Sequence, residues 1–267
     1  MKKIISTILV IATLAACCAM FTACGDVPEN DSEKGDKPIL NVYTNAGFAP
    51  YEYVDTNGNV VGVDMDVITY IGEKLGYKVV INDIEFNQIL NEVAKDKNAV
   101  GAAGMSKKPE RDELCLASDV YATSIQYVIA PKGTFSGEIV PLADVVAYVS
   151  GTSSKSIGSQ KGTTGCDMVA GAVEGTEVQN IEYSNAIVAS NDIGTTVDAV
   201  VIDKMPAESI CKNNDALECW CLDGDMESYV MYFNKDNADL VAKVNAELKT
   251  MIESGMVDQY TINHSGQ

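Results

Sequence analysis

The chain predicts an α/β fold in two lobes, each a mainly parallel sheet flanked by helices. Strand-like apolar runs alternate with helix-periodic segments over residues 39–102, and the alternation resumes from 125 onward. That order packs helices on both faces of a parallel sheet. The length, 267 residues, exceeds what one small core holds and suits two lobes. Loops of small residues, Asn45–Phe48 and Gly104–Arg111, follow strands at their carboxyl ends, where open α/β sheets take ligands.

The first half reads in order. ILNVYT, from Ile39, is a strand, and Asn45–Pro50 a loop after it. Phe48 and Tyr51 are either ordinary core or the wall of a ligand site. Asp55–Gly58 is a turn. Asp64 is expected as a helix N-cap with Asp66 in the first turn, and Val67, Ile68, Ile71 and Leu75 form one helical face closed by Gly76. Lys78–Ile84 is a strand, Phe86–Lys95 a helix and Ala99–Ala102 a short buried strand. The second half repeats the pattern. Strands are expected at Ile125–Pro131, Ser156–Ser159, Val178–Tyr183, Asp198–Ile202, Leu217–Cys221 and Ser228–Phe233. Helices are expected at Leu142–Val149, after GTTG, from about Pro206, and over Asn237–Ser254 with Gly255 at its end.

The stretch GAAGMSKKPERDELCLASD, from Gly101, carries the chemistry. Ala102, Ala103 and Gly104 let backbone approach a ligand. Ser106 supplies a hydroxyl, and Pro109 suits the first position of a short helix that presents Arg111. A guanidinium is a planar fork matched to both oxygens of a carboxylate. The alternative is an exposed arginine on a solvated turn. Arg111 is the sole arginine in the sequence. In the second half, GTTG opens a helix, and free N–H groups at a helix start attract an anion. Thr163 or Thr164 capping a common turn is the plainer reading. Asp203 ends a strand, either as a site carboxylate or as the cap of the next helix.

The amino terminus reads as a targeting segment. Lys2 and Lys3 precede the apolar run Ile4–Ala16, so residues 1–23 are expected to be a signal peptide, with a retained anchor as the alternative. Cys17 in LAAC and Cys24 in FTACG both resemble the bacterial lipobox; Cys24 is expected as the lipidated residue because a polar stretch, 24–37, follows as a flexible linker. The net charge of −19 argues against nucleic acid. Cys115, Cys166, Cys211, Cys219 and Cys221 are odd in number, so they cannot all pair; Cys211 with Cys219 or Cys221 is the candidate disulfide. No C-x-x-C occurs and the single histidine is His264, so no zinc site and no cofactor is expected.

Taken together and in order, YTNAGFAPYEY, VVGVDMDVITYIGEKLG, GAAGMSKKPER with LASDVY, GSQKGTTG and DAVVID resemble the extracytoplasmic solute-binding proteins of polar amino-acid ABC importers. The resemblance covers about residues 38–260. It implies the periplasmic-binding-protein-like fold, with 38–122 and 229–267 as lobe 1, 123–228 as lobe 2, and a two-strand hinge crossing near Tyr121–Ile125 and Met226–Val230. It implies a free amino acid as ligand, the permease and ATPase subunits of an importer as partners, and a membrane reached through the lipid anchor. By motif position, Arg111 and Ser106 would bind the α-carboxylate, with further donors from Thr164. The Gly104 backbone and Asp203 would take the α-ammonium. Phe48 and Phe86 would be apolar walls, while Asn45, Gln160 and Ile202 sit where members differ with the ligand side chain. Lys107 and Lys108 depart from the family pattern, either solvated or drawing the cleft towards anionic ligands.

A zwitterion needs one cation and one anion held apart, and Arg111 and Asp203 supply them from different lobes. Asn45 and Gln160 are neutral amides, so a neutral polar amino acid is expected over arginine or lysine, unless Glu52 turns into the pocket. Two other functional classes are compatible with the sequence. A ligand-sensing or interaction lipoprotein is one. The other is a periplasmic dehydratase-like enzyme, for which Glu52 and Glu85 are the nearby acid–base candidates.

Overall fold

The computed structural model describes residues 36–266. The expected signal peptide, Cys17, Cys24 and nearly all of the expected linker lie outside the described residues.

The chain starts in the first lobe with β1 (Ile39–Thr44). A tight turn brings Phe48 and Glu52 into a backbone bridge, and the hairpin β2 (Tyr53–Val54) and β3 (Val60–Val61) follows. Gly62 leads into α1 (Val63–Lys74) with φ 138°. A Cβ there would lie 2.1 Å from the Tyr51 carbonyl oxygen, so only glycine fits this entry. Asp64 is therefore not the cap the sequence suggests. It sits inside the first turn, fully buried. Next come β4 (Lys78–Asp83), a 3₁₀ turn at Phe86–Gln88, α2 (Ile89–Lys95), β5 (Ala99–Gly101), α3 (Pro109–Asp112) and β6 (Leu116–Ala117).

Strand β7 (Ala122–Ser124) leaves this lobe. The second lobe holds β8 (Gln126–Pro131), β9 (Ile139–Val140), α4 (Leu142–Ser150), β10 (Ser156–Gln160) and α5 (Thr164–Val173). It continues with β11 (Gln179–Tyr183), α6 (Ala186–Asn191), β12 (Ala199–Asp203), α7 (Lys204–Lys212) and β13 (Leu217–Leu222). The chain returns along β14 (Glu227–Tyr229), which pairs antiparallel with β7, and enters β15 (Tyr232–Phe233). The strand expected at Ser228–Phe233 is thus two short ones with different partners. Helices α8 (Ala238–Glu253) and α9 (Met256–His264) complete the chain.

The first sheet runs β4-β1-β5-β15-β6, with β1 parallel to β4 and β5 and the returning β15 antiparallel. The second runs β11-β10-β12-β8-β13-β9, with β10 parallel to β11 and β12 and β8 antiparallel between β12 and β13. Leu40 and Val42 alternate inward from β1 against Ile68 and Ile71 of α1 and Leu248 and Met251 of α8. In the second lobe Val128, Ile157, Val201 and Trp220 pack with Val145, Val149 and Val169. These packed faces position the strand ends, and residues at or just after the carboxyl ends of β1, β5, β10 and β12 border one cleft. Among the described residues, no helix is long and apolar enough to cross a membrane.

Candidate functional site

All nine residues singled out from sequence, Asn45, Phe48, Phe86, Gly104, Ser106, Arg111, Gln160, Thr164 and Asp203, line one cavity in this cleft. Glu52, Ala103 and Thr163 line it too. Ile202 does not. It is buried within β12 and packed in the core, so only its neighbour Asp203 reaches the cavity.

The loop after β5 is shaped by buried polar contacts. Gly104 adopts φ 51°, and a Cβ on it would meet the Phe48 ring at 2.7 Å. Its N–H donates to Asp64 Oδ2 at 2.9 Å, while the Tyr121 hydroxyl donates to Asp64 Oδ1 at 2.7 Å. Burial pushes the Asp64 carboxyl up to about 6 against those two bonds, which pull it down. The expected helix cap is in fact the anchor of the ligand loop. Backbone bonds from Lys107 N–H to the Ser228 carbonyl (2.8 Å) and from Val230 N–H to the Met105 carbonyl (3.0 Å) hold this loop beside the hinge.

Arg111 follows Pro109 on α3 and is buried, not on a solvated turn. Its Nη1 donates to the Ser106 carbonyl at 2.7 Å and its Nη2 crosses the cleft to the Gly162 carbonyl at 3.0 Å. The guanidinium lies over the Phe86 ring, 5.4 Å from its centroid. Burial lowers the pKa of its guanidinium from the ordinary value, and the nearby Tyr232 and Glu227 oppose that shift. Lys108 forms a salt bridge with Asp167 of α5, and Lys107 is exposed, so neither lies in the cavity.

The second lobe supplies the facing wall. Thr163 is the N-cap of α5, its Oγ1 accepting from Cys166 N–H at 3.2 Å, which leaves Thr164 as the first helical residue at the cavity edge. Gln160 ends β10 and donates to Asn45 Oδ1 at 2.8 Å, so the two amide positions meet across the cleft. Asp203 holds the N-cap position of α7 without a capping bond from its side chain. Its Oδ1 accepts the Tyr229 hydroxyl at 2.6 Å. Burial, reinforced by Glu227, raises the Asp203 carboxyl to about 6.

Glu52 changes the charge balance. It is 1% exposed, and its Oε2 has no hydrogen-bond partner. Burial first, then Asp64 and Asp203, push its carboxyl well above the usual range. Its proximity to the cavity follows from the Phe48–Glu52 turn, where Phe48 N–H donates to the Glu52 carbonyl at 2.8 Å. The only sequence signal was a carboxylate two residues beyond Pro50 in an otherwise apolar stretch. Glu52 is the carboxylate the sequence reading held open as able to turn into the pocket; Glu227, at the start of β14, is the site-adjacent carboxylate that it missed. Glu85 is exposed and outside the cavity. Among the described residues, no group of three or more His, Cys, Asp or Glu side chains is arranged to hold a metal ion.

The fold and the cavity define the class: a protein that encloses a small charged solute between two lobes. The chain belongs to the bacterial extracellular solute-binding proteins, family 3, whose family model matches residues 40–266. The arginine-binding extracellular protein ArtP of Bacillus subtilis (strain 168) is 29% identical over 259 residues, covering 92% of this chain and 93% of that protein. An ancestral arginine-binding protein bound to arginine matches with a TM-score of 0.76 at 28% identity, covering 85% of this chain and 98% of that one. An ancestral arginine-binding protein bound to glutamine matches with a TM-score of 0.75 at 29% identity, covering 87% and 100%.

Proposed function

We propose that this chain captures a free L-amino acid with a cationic side chain, arginine foremost, outside the cytoplasm and delivers it to the permease and ATPase of an ABC importer. One observation carries the choice of ligand. The cavity joins Arg111 and Asp203, enough for a zwitterion, to a third ionisable group, the buried Glu52 carboxyl with an unpartnered oxygen. A buried carboxyl gives up its proton only to a paired cation, and a guanidinium or ammonium on the ligand side chain supplies one. The expectation of a neutral ligand rested on the pocket lacking a spare carboxylate, and Glu52 removes that premise. The arginine named for ArtP and present in the ancestral structure supports the same reading.

In this reading Arg111 and the N–H groups opening α5 take the α-carboxylate, and Asp203 the α-ammonium. Phe48 and Phe86 flank the aliphatic chain, with Glu52 at its end. Asn45 and Gln160, bonded to each other, complete the lining. The lobes are 38–122 with 229–267, and 123–228, a division supported by sheet membership and the β7–β14 pair. Binding across the cleft is then a hinge closure. The chain acts as a binding protein and not as an enzyme, since Glu85 is too far out to serve Glu52 as an acid–base partner. Anchoring is through a lipidated Cys24, which mass spectrometry of the amino-terminal peptide tests; a lipidated Cys17 or an unprocessed Met1 refutes it. A thermal-shift screen of the common amino acids tests the ligand: arginine should stabilise most, by about 2.7 kcal/mol at a concentration 100 times its Kd. A larger shift with glutamine or glutamate refutes the cationic assignment.

A further inference from the structure

Ser106, Thr163 and Thr164 are side-chain hydroxyls lining the cavity; Thr163 donates to the Gln160 carbonyl at 2.8 Å, and the protons of Ser106 and Thr164 are committed to one carboxylate. Ser106 Oγ donates to Glu227 Oε2, and Thr164 Oγ1 donates to the same oxygen at 2.7 Å. Gln126 Nε2 donates to Glu227 Oε1 at 2.8 Å. One half-buried carboxylate on the hinge strand thus holds a hydroxyl from the first lobe and another from the first residue of α5 in the second. A hydroxyl has one proton to give. While it lies on Glu227, it cannot lie on a ligand oxygen, and the hydroxyl then offers a ligand carboxylate only its lone pairs. Glu227 is also held in place, because Ser106 bridges Tyr229 and Lys107 N–H bonds the Ser228 carbonyl.

We propose that Glu227 is a built-in competitor for the donors of the α-carboxylate, and so sets how sharply the chain separates an amino acid from the corresponding decarboxylated amine. The inference rests on the amino-acid reading of the cavity. A ligand carboxylate entering beside Arg111 must draw two protons away from Glu227 or settle next to a second anion. The carboxylate therefore contributes less to affinity than its donor set allows. A cationic amine without one forgoes little, and keeps Glu52 and Asp203 as partners.

The test compares arginine with agmatine, which has the same guanidinium chain and no carboxylate, by calorimetry on the wild-type chain and on Glu227→Gln. In Glu227→Gln the amide oxygen keeps the bond from Gln126 Nε2 and the NH2 faces Ser106 and Thr164, so both hydroxyls accept from it and their protons are free. Arginine should bind about fivefold or more tightly to the variant, while agmatine changes less than about twofold, widening their ratio. A ratio that stays the same or narrows overturns the proposal, including the case where both affinities fall together because Glu227 only braces the hydroxyls. Glu227→Asp, which withdraws the oxygens from both hydroxyls, should widen the ratio in the same direction and serves if the glutamine variant fails to fold. Failure of the competitor idea leaves wild-type arginine binding intact. If another amino acid is the ligand, the same comparison with it and its decarboxylated amine decides. Absence of binding by every amino acid overturns both this inference and the function on which it rests.

Discussion

Replacing Glu52 with glutamine isolates the group on which the choice of ligand depends. The carboxyl is 1% exposed with one oxygen unpartnered, and Asp64 and Asp203 both raise its proton affinity. An arriving guanidinium must pair with an ionised Glu52, so part of the pair energy is spent removing that proton. Truncating one member of a desolvated charge pair costs about 2–5 kcal/mol. The ionisation cost places Glu52→Gln at the lower end, about 2–3 kcal/mol, or roughly 30- to 150-fold weaker arginine binding at pH 7.5. Glutamine, which brings no side-chain charge, should change by less than about threefold. Calorimetry with both ligands on both proteins reads this out. Arginine affinity within about threefold of wild type would refute the pairing. An equal loss for arginine and glutamine would show that Glu52 serves the α-ammonium instead.

Arg111→Ala should weaken amino-acid binding by about 2–5 kcal/mol, with Arg111→Lys recovering part, and calorimetry measures both. Because the buried guanidinium also bonds the Ser106 and Gly162 carbonyls, the melting temperature without ligand should fall by several degrees; an unchanged melt contradicts that structural part. Asp64 and Asp203 have folded-state values near 6 against an ordinary 3.8, so the native state holds the extra protons. Their contribution is complete below about pH 4 and lost as pH rises through about 6, at most about 3 kcal/mol for each carboxyl. Melts without ligand should therefore be higher at pH 5 than at pH 7.5, a difference that Asp203→Asn reduces; a rise with pH contradicts the burial argument. Cys211, Cys219 and Cys221 are all half-buried free thiols. The Cys211 thiol donates to the Cys219 sulfur, which lowers the Cys219 proton affinity and raises that of Cys211. Under thiol oxidants these two should link and leave Cys221 free, and peptide mapping of a Cys219–Cys221 or Cys211–Cys221 link would refute the pairing.

The alternation of strand and helix was legible because both halves carry strong apolar periodicity, as in Ile68 and Ile71 facing Leu40 and Val42. The cavity lining was legible in two ways: strand carboxyl ends and distinctive residues pointed to Arg111 and the GTTG loop, while Phe86 and the roles of Asn45 and Gln160 came only from motif position in the resemblance to the solute-binding family. What escaped were long-range partners. Asp64 looks like a helix cap in isolation, and only the folded chain brings the Gly104 amide and the Tyr121 hydroxyl to it from 40 and 57 residues away. Glu227 has ordinary neighbours in sequence and meets Ser106 and Thr164 only where the lobes cross, whereas Glu52 was legible as a candidate and only its orientation awaited the tight turn at Phe48–Glu52. Short elements such as α6, and α9 beyond Gly255, were missed because they carry too few apolar repeats to stand out, and α9 is stabilised through His264 contacts to Asp66 and Tyr53.

The most direct measurement is a crystal structure of the mature chain grown with arginine. The account predicts one arginine in the cleft. Its carboxylate should lie on Arg111 and the amide groups opening α5, its ammonium on Asp203, and its guanidinium on Glu52. Arginine bound elsewhere, reversed so that its guanidinium meets Asp203, or absent from a cleft that holds a neutral or acidic amino acid would contradict it.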